Sequence, residues 1–242
     1  IGNVNDIEGI DSVHKLSLLS ALCFGVKINF NNSFYKGISN IDIEDIIYAK
    51  KLGYRIKLIF KSEIKNNQII SVTEPMLIDC KSEIANVNGV MNAIKLETDY
   101  LKSLFLVGEG AGGVATTSSI LSDILEISNS HDQKSLGYEN SSLIQLESAD
   151  YNNTISSFYL RIIVKDISGV LAKITSNLTN EGISIETILQ LPEKNHDKDK
   201  VPIIITTHGT TISLLNKAIV KIENLDFVIS KITAININKN IK

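Results

Sequence analysis

The order of elements predicted over residues 157–242 is the feature that most restricts how this chain can fold. An apolar run at 158–165 predicts a strand, and a helix over 170–178 and a strand over 183–190 follow it. After a charged loop at 191–200 the order continues as strand, helix and strand. Because βαββαβ is the layout of the ferredoxin-like fold, we expect one such module here.

The turn after the first of these strands carries a further signal. Its sequence, Asp166-Ile-Ser-Gly169-Val-Leu, resembles the Asp-x-Pro-Gly-Val-Leu turn of ACT domains, with Ser168 in place of the proline. ACT domains are small regulatory modules that bind amino acids and usually pair side by side. The resemblance implies that Asp166 and Gly169 contact an effector, for which threonine is the candidate. A dimerising module without a ligand is the alternative.

The first 130 residues predict three helices. Apolar residues at helical spacing place the first over 10–24, ended by Gly25, the second over 43–52, with Asp42 as N-cap, and the third over 114–127. The expected buried faces are Ile10, Val13, Leu16, Leu19 and Leu22 on the first helix, and Ile43, Ile46, Ile47 and Tyr48 on the second.

Strands are predicted at 54–61, 68–79, 92–100 and 104–107. Pro75 lacks a backbone N–H, so we expect an edge position or a bulge there. Short turns between consecutive strands favour antiparallel pairing. The expected fold class is α+β, a mixed sheet covered by helices and followed by the ferredoxin-like module.

A polar segment separates the two halves. Residues 131–156 are rich in Asn, Ser, Asp and Gln, which is typical of an exposed linker, with a short strand at 143–146. The predicted division is therefore a first domain over 1–130, a linker over 131–156 and an ACT-like domain over 157–242.

The stretch from Asp6 to Lys15 holds the candidate chemistry. Asp11 and Lys15 are four residues apart on the first helix, which puts their Cβ atoms about 5–6 Å apart on one face. They could form an exposed ion pair, with Asp11 capping the helix. They could instead converge with Asp6 on a polar substrate, because a desolvated lysine can serve as acid or base. Pairing with Asp11 opposes that role unless the substrate takes Asp11 for itself.

The same stretch resembles the signature of homoserine dehydrogenase, which runs aspartate, two residues, glycine, one residue, aspartate, three residues, lysine. Later blocks agree in order and spacing: Lys36-Gly37-Ile38, Leu52-Gly53-Tyr54-Arg55, Gly89-Val90-Met91-Asn92 and the glycine-rich turn Gly108–Ser118. This agreement covers roughly the first 130 residues, so chance similarity is a poor explanation.

The resemblance implies an NAD- or NADP-dependent oxidoreductase that interconverts L-homoserine and L-aspartate 4-semialdehyde, in threonine, methionine and isoleucine biosynthesis. Lys15 would be the catalytic acid or base, and Asp6 and Asp11 would bind the substrate. Gly110, Gly112 and Thr116 would lie against the nicotinamide end of the cofactor, with the Thr116 hydroxyl also capping the helix that follows.

One departure from the family is large. The family begins with a Rossmann domain, but no Gly-x-Gly-x-x-Gly follows an early strand here. We therefore expect the sequence to be the C-terminal part of a longer polypeptide. The alternative function is an amino-acid-binding and dimerising module without catalysis.

The composition narrows the partners. A net charge of −3 argues against nucleic acid, and no run is long and apolar enough to span a bilayer. Cys23 and Cys80 are predicted to be buried thiols rather than a disulfide or metal ligands, which favours a reducing compartment such as the cytoplasm. No metal site is predicted, and a homo-oligomer is expected.

Overall fold

The computed structural model describes residues 7–30, 33–129, 134–190 and 200–239. The helices are α1 (Ile10–Phe24), α2 (Ile43–Lys51), α3 (Gly113–Asn129), α4 (Val170–Asn180) and α5 (Ile212–Glu223). The strands are β1 (Phe34–Tyr35), β2 (Tyr54–Lys65), β3 (Gln68–Asp79), β4 (Met91–Thr98), β5 (Lys102–Glu109), β6 (Glu147–Ser148), β7 (Ile155–Val164), β8 (Ile185–Leu189), β9 (Val201–Thr207), β10 (Thr210–Thr211) and β11 (Thr233–Asn238).

One mixed sheet runs through both halves of the chain. Strands β11, β7, β9 and β8 lie side by side in antiparallel pairs, which confirms the predicted ferredoxin-like layout. Strand β11 also pairs in parallel with β3 of the first half, at Asn236–Asn238. The modules are therefore joined by a strand ladder, and β2 pairs antiparallel along the whole of β3.

Helices α4 and α5 cover one face of the ferredoxin-like sheet. Their buried side chains pack against alternate residues of β7 and β9, and the cluster includes Leu160, Ile162, Ile174, Leu178, Ile205 and Ile222, all of them fully buried. This core joins the helices and strands whose order predicted the ferredoxin-like module. The last strand, predicted over 225–236, begins only at Thr233, because turns, bends and an isolated bridge between Val164 and Val228 occupy the residues before it.

Helix α2 covers the opposite face of the sheet. Its Tyr48 and Ala49 pack against Leu77, Tyr159 and Ile235 of three different strands. The prediction that Ile43, Ile46 and Ile47 would be buried with Tyr48 was wrong, since they are 74%, 54% and 48% exposed. Asp45 is fully buried instead, because the sheet presents an arginine to this helix.

Helix α1 also buries a different face from the predicted one. Val13 and Leu16 are buried as expected, but Leu22 is half exposed and Cys23 is exposed. Two serines occupy the inner face, where the Ser20 hydroxyl donates to Leu16 O at 2.7 Å. The predicted burial of Cys23 was therefore wrong, since this residue lies in the last turn of α1, beyond the buried residues Val13 to Ala21; both cysteines are free thiols.

Pro75 lies in the interior of the sheet rather than at an edge. It faces Leu58 in an unbroken ladder with β2, so there is no bulge between the two strands. On the other side of β3, pairing with β1 ends at Thr73 and pairing with β11 begins at Met76. The missing N–H of proline thus falls in a gap between two partner strands and breaks no hydrogen bond.

The segment predicted to be an exposed linker is partly built into the sheet. Its strand is β6, which pairs in parallel with Gln68–Ile69 at residues 147–148 rather than at 143–146. Ile144 forms an isolated bridge with Val26. The Tyr151 hydroxyl donates to the buried carboxylate of Glu74. Local polarity concealed these contacts because each involves only one or two residues.

Strands β4 and β5 form a separate hairpin, and α3 follows it. We call residues 91–129 the arm. No described residue of α3 is buried, and Leu125 and Ile127 are 61% and 76% exposed. Among the residues that the structure describes, no helix is long and apolar enough to cross a membrane.

Candidate functional site

The turn before α1 lies directly on the segment after β1. The Ile38 N–H donates to Ile7 O at 2.9 Å. A Cβ on Gly37 would lie 2.5 Å from Ile7 O and 2.7 Å from Glu8 Cα, so only glycine fits there. Gly9 has a φ of +82° as it opens α1, which is the left-handed conformation that glycine adopts at little cost. Glycines at both positions thus fix where α1 starts.

Asp11 and Lys15 form an ion pair on the first turns of α1. Lys15 Nζ lies 2.7 Å from Asp11 Oδ2, as the spacing of four residues predicts. The side chains are 51% and 45% exposed, which matches the surface ion pair of the first interpretation. Asp11 is not the cap that this interpretation also proposed, because Gly9 is the N-cap and no side chain bonds the helix start.

The structure brings together only part of the predicted site. Asp6 lies outside the described residues, so its place beside Asp11 stays a prediction. Within the described ranges, no hydrogen bond or ion pair links Asp11 or Lys15 to Gly110, Gly112 or Thr116.

The glycine-rich turn connects β5 to α3 and has an open backbone. A Cβ on Gly108, Gly112 or Gly113 would meet no atom within 4 Å, and Gly112 has a φ of +132°. Gly110 differs, because a Cβ there would lie 1.8 Å from Asn92 Nδ2. Its lack of a side chain is explained by packing within the hairpin.

Thr116 is exposed and lies inside α3 rather than at its cap. Its N–H donates to Gly112 O at 3.0 Å as part of the helix. The prediction that its hydroxyl caps the helix was wrong, because α3 already begins at Gly113. The neighbouring Thr117 hydroxyl donates back to Gly113 O at 2.7 Å, which is the usual bond of a helix-interior threonine.

The turn from Asp166 to Gly169 is exposed and opens α4. Gly169 is the N-cap, with a φ of +88° and free space where a side chain would be. A cavity of about 340 Å³ lies beside the turn, lined by Lys165, Ile167, Lys173 and residues 224–227. The Lys173 ammonium lies 5.7 Å from the centre of the Phe227 ring, which forms part of the wall.

A buried ionic cluster links the two modules and was missed by sequence reasoning. Arg161 of β7 is 5% exposed and donates from Nε to Asp45 Oδ1 at 2.7 Å and from Nη2 to Asp42 Oδ2 at 2.5 Å. The Tyr159 hydroxyl donates to Asp45 Oδ1 at 3.0 Å. Burial opposes the charge on Arg161, but its bonds to Asp45 and Asp42 outweigh this and raise the pKa of the guanidinium. A lone arginine inside an apolar strand was the available signal.

A second polar cluster lies where β3 and β11 meet. It comprises Lys36, Glu74, Tyr151 and Asn236, and we call it the junction cluster. Asn236 Nδ2 donates to Glu74 Oε1 at 3.1 Å, and the Tyr151 hydroxyl donates to the same oxygen. Burial raises the pKa of Glu74, although its hydrogen bonds and the nearby Lys36 oppose the shift. The sequence feature that could have indicated this cluster is a glutamate next to a proline within a predicted strand.

Comparison with protein families identifies both modules. A family model described as homoserine dehydrogenase matches residues 3–125, about half of the chain. A model of the ACT domain matches residues 158–224. The first match includes Asp11, Lys15 and the glycine-rich turn, and the second includes Asp166 and Gly169.

Named relatives agree with these matches. A homoserine dehydrogenase of Neisseria gonorrhoeae is 36% identical over 236 residues, which is 95% of this chain and 54% of the relative. One of Pseudomonas aeruginosa is 34% identical over 240 residues, covering 97% and 55%. A homoserine dehydrogenase structure from Thiobacillus denitrificans has a TM-score of 0.85 at 35% identity, covering 98% and 55%. The chain thus spans about half the length of the relatives it matches.

Proposed function

The chain belongs to the homoserine dehydrogenase family. We propose that it supplies the groups that bind the substrate and transfer a proton in the NAD- or NADP-dependent interconversion of L-homoserine and L-aspartate 4-semialdehyde. This reaction would serve threonine, methionine and isoleucine biosynthesis in the cytoplasm. The observation that carries the proposal is the Asp11–Lys15 pair on a helix whose start is fixed by Gly9 and Gly37.

The residues of this chain that could face the cofactor are those of the open glycine turn. The backbone at Gly112 and Gly113 carries no side chain and begins a long helix, so it can approach a flat, polar group closely. When bound, the nicotinamide would supply or accept the hydride. Thr116, exposed one turn into the helix, would help to hold the cofactor at this turn.

Lys15 transfers the proton, and Asp11 binds the substrate. In the oxidation direction the neutral amine of Lys15 accepts the hydroxyl proton of homoserine, and in reduction its ammonium donates that proton to the aldehyde oxygen. The carboxylate of Asp11, with that of Asp6, binds the substrate ammonium through charge-assisted hydrogen bonds. Because Lys15 Nζ is 2.7 Å from Asp11 Oδ2, a substrate ammonium bound by Asp11 would also lie close to Lys15.

The test is Lys15→Ala in the complete natural polypeptide that carries this sequence. Turnover of homoserine should fall about 10²- to 10⁴-fold, the usual contribution of a general acid or base. Asp11→Asn should raise KM for homoserine about tenfold or more, because it weakens a hydrogen bond to a charged group. Lys61→Ala is the matched control, since Lys61 forms an exposed 2.8 Å ion pair with Glu63. Turnover of Lys15→Ala at the wild-type rate would remove Lys15 from the mechanism.

A second function, amino-acid sensing, is favoured by the ACT match and by the cavity beside Asp166–Gly169. We propose that this turn binds threonine or a related amino acid, with two copies of the chain paired through β8. Among the described residues β8 pairs with β9 alone, so its other edge is available.

Isothermal titration of threonine into the 242-residue chain tests this second function. Gly169→Ala should weaken binding because alanine is strained at a φ of +88°. Gly182→Ala is the control, since Gly182 also has a positive φ and open space but lies after α4. Sedimentation of the same samples measures the pairing. Absence of heat at millimolar threonine would leave the ACT module a structural role only.

A further inference from the structure

Lys36 occupies the point where the strands of the two modules diverge. Its N–H continues the β1–β3 ladder by donating to Thr73 O at 2.8 Å. The ladder between β3 and β11 covers only Asn236–Asn238, so Ala234 lies before it. Lys36 Nζ donates to Ala234 O at 2.8 Å. A side chain of the first module is therefore bonded to the last strand of the ACT module.

The surroundings of Lys36 make this bond costly to rearrange. Burial lowers the pKa of Lys36, and the nearby carboxylate of Glu74 opposes that shift. Glu74 is itself held by Tyr151 and Asn236 within the junction cluster. A partly buried ammonium has lost some of its water and needs hydrogen-bond acceptors in its place, and Ala234 O is one such acceptor. Moving β11 away would leave Lys36 and Ala234 O without these partners.

The backbone that follows Lys36 bears directly on the proposed catalytic turn. Gly37 lies within contact of Ile7 and Glu8, and Ile38 is hydrogen-bonded to Ile7 O. The turn then enters α1 through Gly9, whose carbonyl accepts the Val13 N–H at 3.1 Å. Gly37 follows Lys36 directly, and Ile38 is the next residue. A shift of the Lys36 backbone must therefore move the start of the helix that carries Asp11 and Lys15.

We propose that Lys36 is a positioning residue that ties the turn before Asp11 and Lys15 to strand β11 of the ACT module. The tie holds the proton-transfer residues in register with the module that senses amino acids. A displacement of β11 by an effector reaches the turn through Lys36. This inference rests on the proposed function, but the physical tie can be measured without activity.

Hydrogen exchange of the 242-residue chain tests the tie itself, using Lys36→Met, which keeps the length of the side chain and removes the donor. Exchange at the Ile38 and Val13 amides should become about tenfold faster or more, because a hydrogen bond from a charged group is lost. The amides of Ile203 and Ile205 in the ACT core should be unchanged. Lys36→Arg, which restores the charge and donor, should recover part of the protection.

Lys57→Met is the matched control. Lys57 is also partly buried, its pKa is also lowered by burial, and its Nζ donates to Val87 O at 2.5 Å. Both partners belong to the first module, so this variant removes a similar bond that does not reach β11. Exchange at Ile38 and Val13 should stay at the wild-type rate in Lys57→Met.

Kinetics of the complete polypeptide then test the positioning role. Lys36→Met should lower kcat for homoserine about tenfold with KM for the cofactor unchanged, and threonine should still bind but inhibit less. If Lys36→Met does not fold, Lys36→Gln, a shorter donor, should show the same pattern more weakly.

Three results would overturn the inference. The first is that Lys36→Met exchanges at Ile38 and Val13 at the wild-type rate. The second is that exchange becomes faster at every amide alike. The third is that exchange at Ile38 and Val13 changes but kcat and inhibition by threonine do not. A wild-type polypeptide without homoserine turnover would instead sink the proposed function, while the exchange result would still decide whether the tie exists.

Discussion

Two regions bury apolar side chains to very different extents. One is the junction, where α2 packs against strands of both modules, and the other is the arm. At the junction, Leu77, Tyr159 and Ile235 come from three strands and are at most 2% exposed beneath α2. In the arm, α3 has apolar residues at helical spacing, yet Ile124 and Leu125 are 55% and 61% exposed. Periodicity alone therefore identifies a helix that has an apolar face without saying what covers it.

The junction and the arm also differ in whether they bury charged side chains. The arm exposes isoleucines and leucines, whereas the junction buries Arg161 and Asp45 completely or nearly so. A buried ion pair is tolerated only where its geometry satisfies both partners. The two modules are therefore held together by a buried ion pair as well as by apolar contacts. Substitutions at each kind of contact can measure the two contributions separately.

The largest effect should come from Arg161→Met. Removing the guanidinium leaves Asp45, 0% exposed, without a cationic partner, so the free energy of unfolding should fall by about 3–5 kcal/mol. Urea denaturation of the 242-residue chain measures it. Asp42→Asn is the control, since the Asp42 side chain is 65% exposed and its pair should contribute less than about 1 kcal/mol. Adding Asp45→Asn to Arg161→Met should recover part of the loss, and equal stability of Arg161→Met and wild type would refute the argument.

Local signals predicted much of this region. Asp42 was predicted as the N-cap of α2, and it forms a capping box there, in which the Asp42 N–H donates to Asp45 Oδ2 at 3.0 Å. The second role of Asp45, as partner of Arg161, could not be predicted, because the two residues are 116 positions apart. The inward face of α2 was mispredicted for the same reason.

The candidate site shows the same limit. The Asp11–Lys15 pair follows from helical spacing and forms at 2.7 Å. The Lys36 bond to Ala234 spans 198 positions and depends on how two modules share a sheet. No spacing rule contains that information. Sequence reasoning therefore predicts a contact within one helix, but not contacts between residues far apart in the chain.

The next largest effect should come from shortening a buried leucine at the junction, which can be compared with shortening an exposed leucine in the arm. Leu77→Ala at the junction removes a fully buried side chain, so it should cost about 2–5 kcal/mol of unfolding free energy. Leu125→Ala in the arm should change it by less than about 0.5 kcal/mol, because the residue is already exposed. Both are read from the same urea curves. A cost for Leu125→Ala equal to that of Leu77→Ala would mean that the arm is packed in solution.

The smallest effect concerns pH and Glu74. Burial raises its pKa above the ordinary value of 4.5, so the folded chain keeps this proton to higher pH than the unfolded chain does. The unfolding free energy should therefore decline as pH rises from 4.5 through the raised pKa of the folded state. Glu74→Gln keeps an oxygen that can accept from Tyr151 and Asn236, and it should flatten that decline. Glu97→Gln in the arm controls for the loss of one negative charge, because Glu97 is exposed. If the decline persists unchanged in Glu74→Gln, its source lies outside the junction cluster.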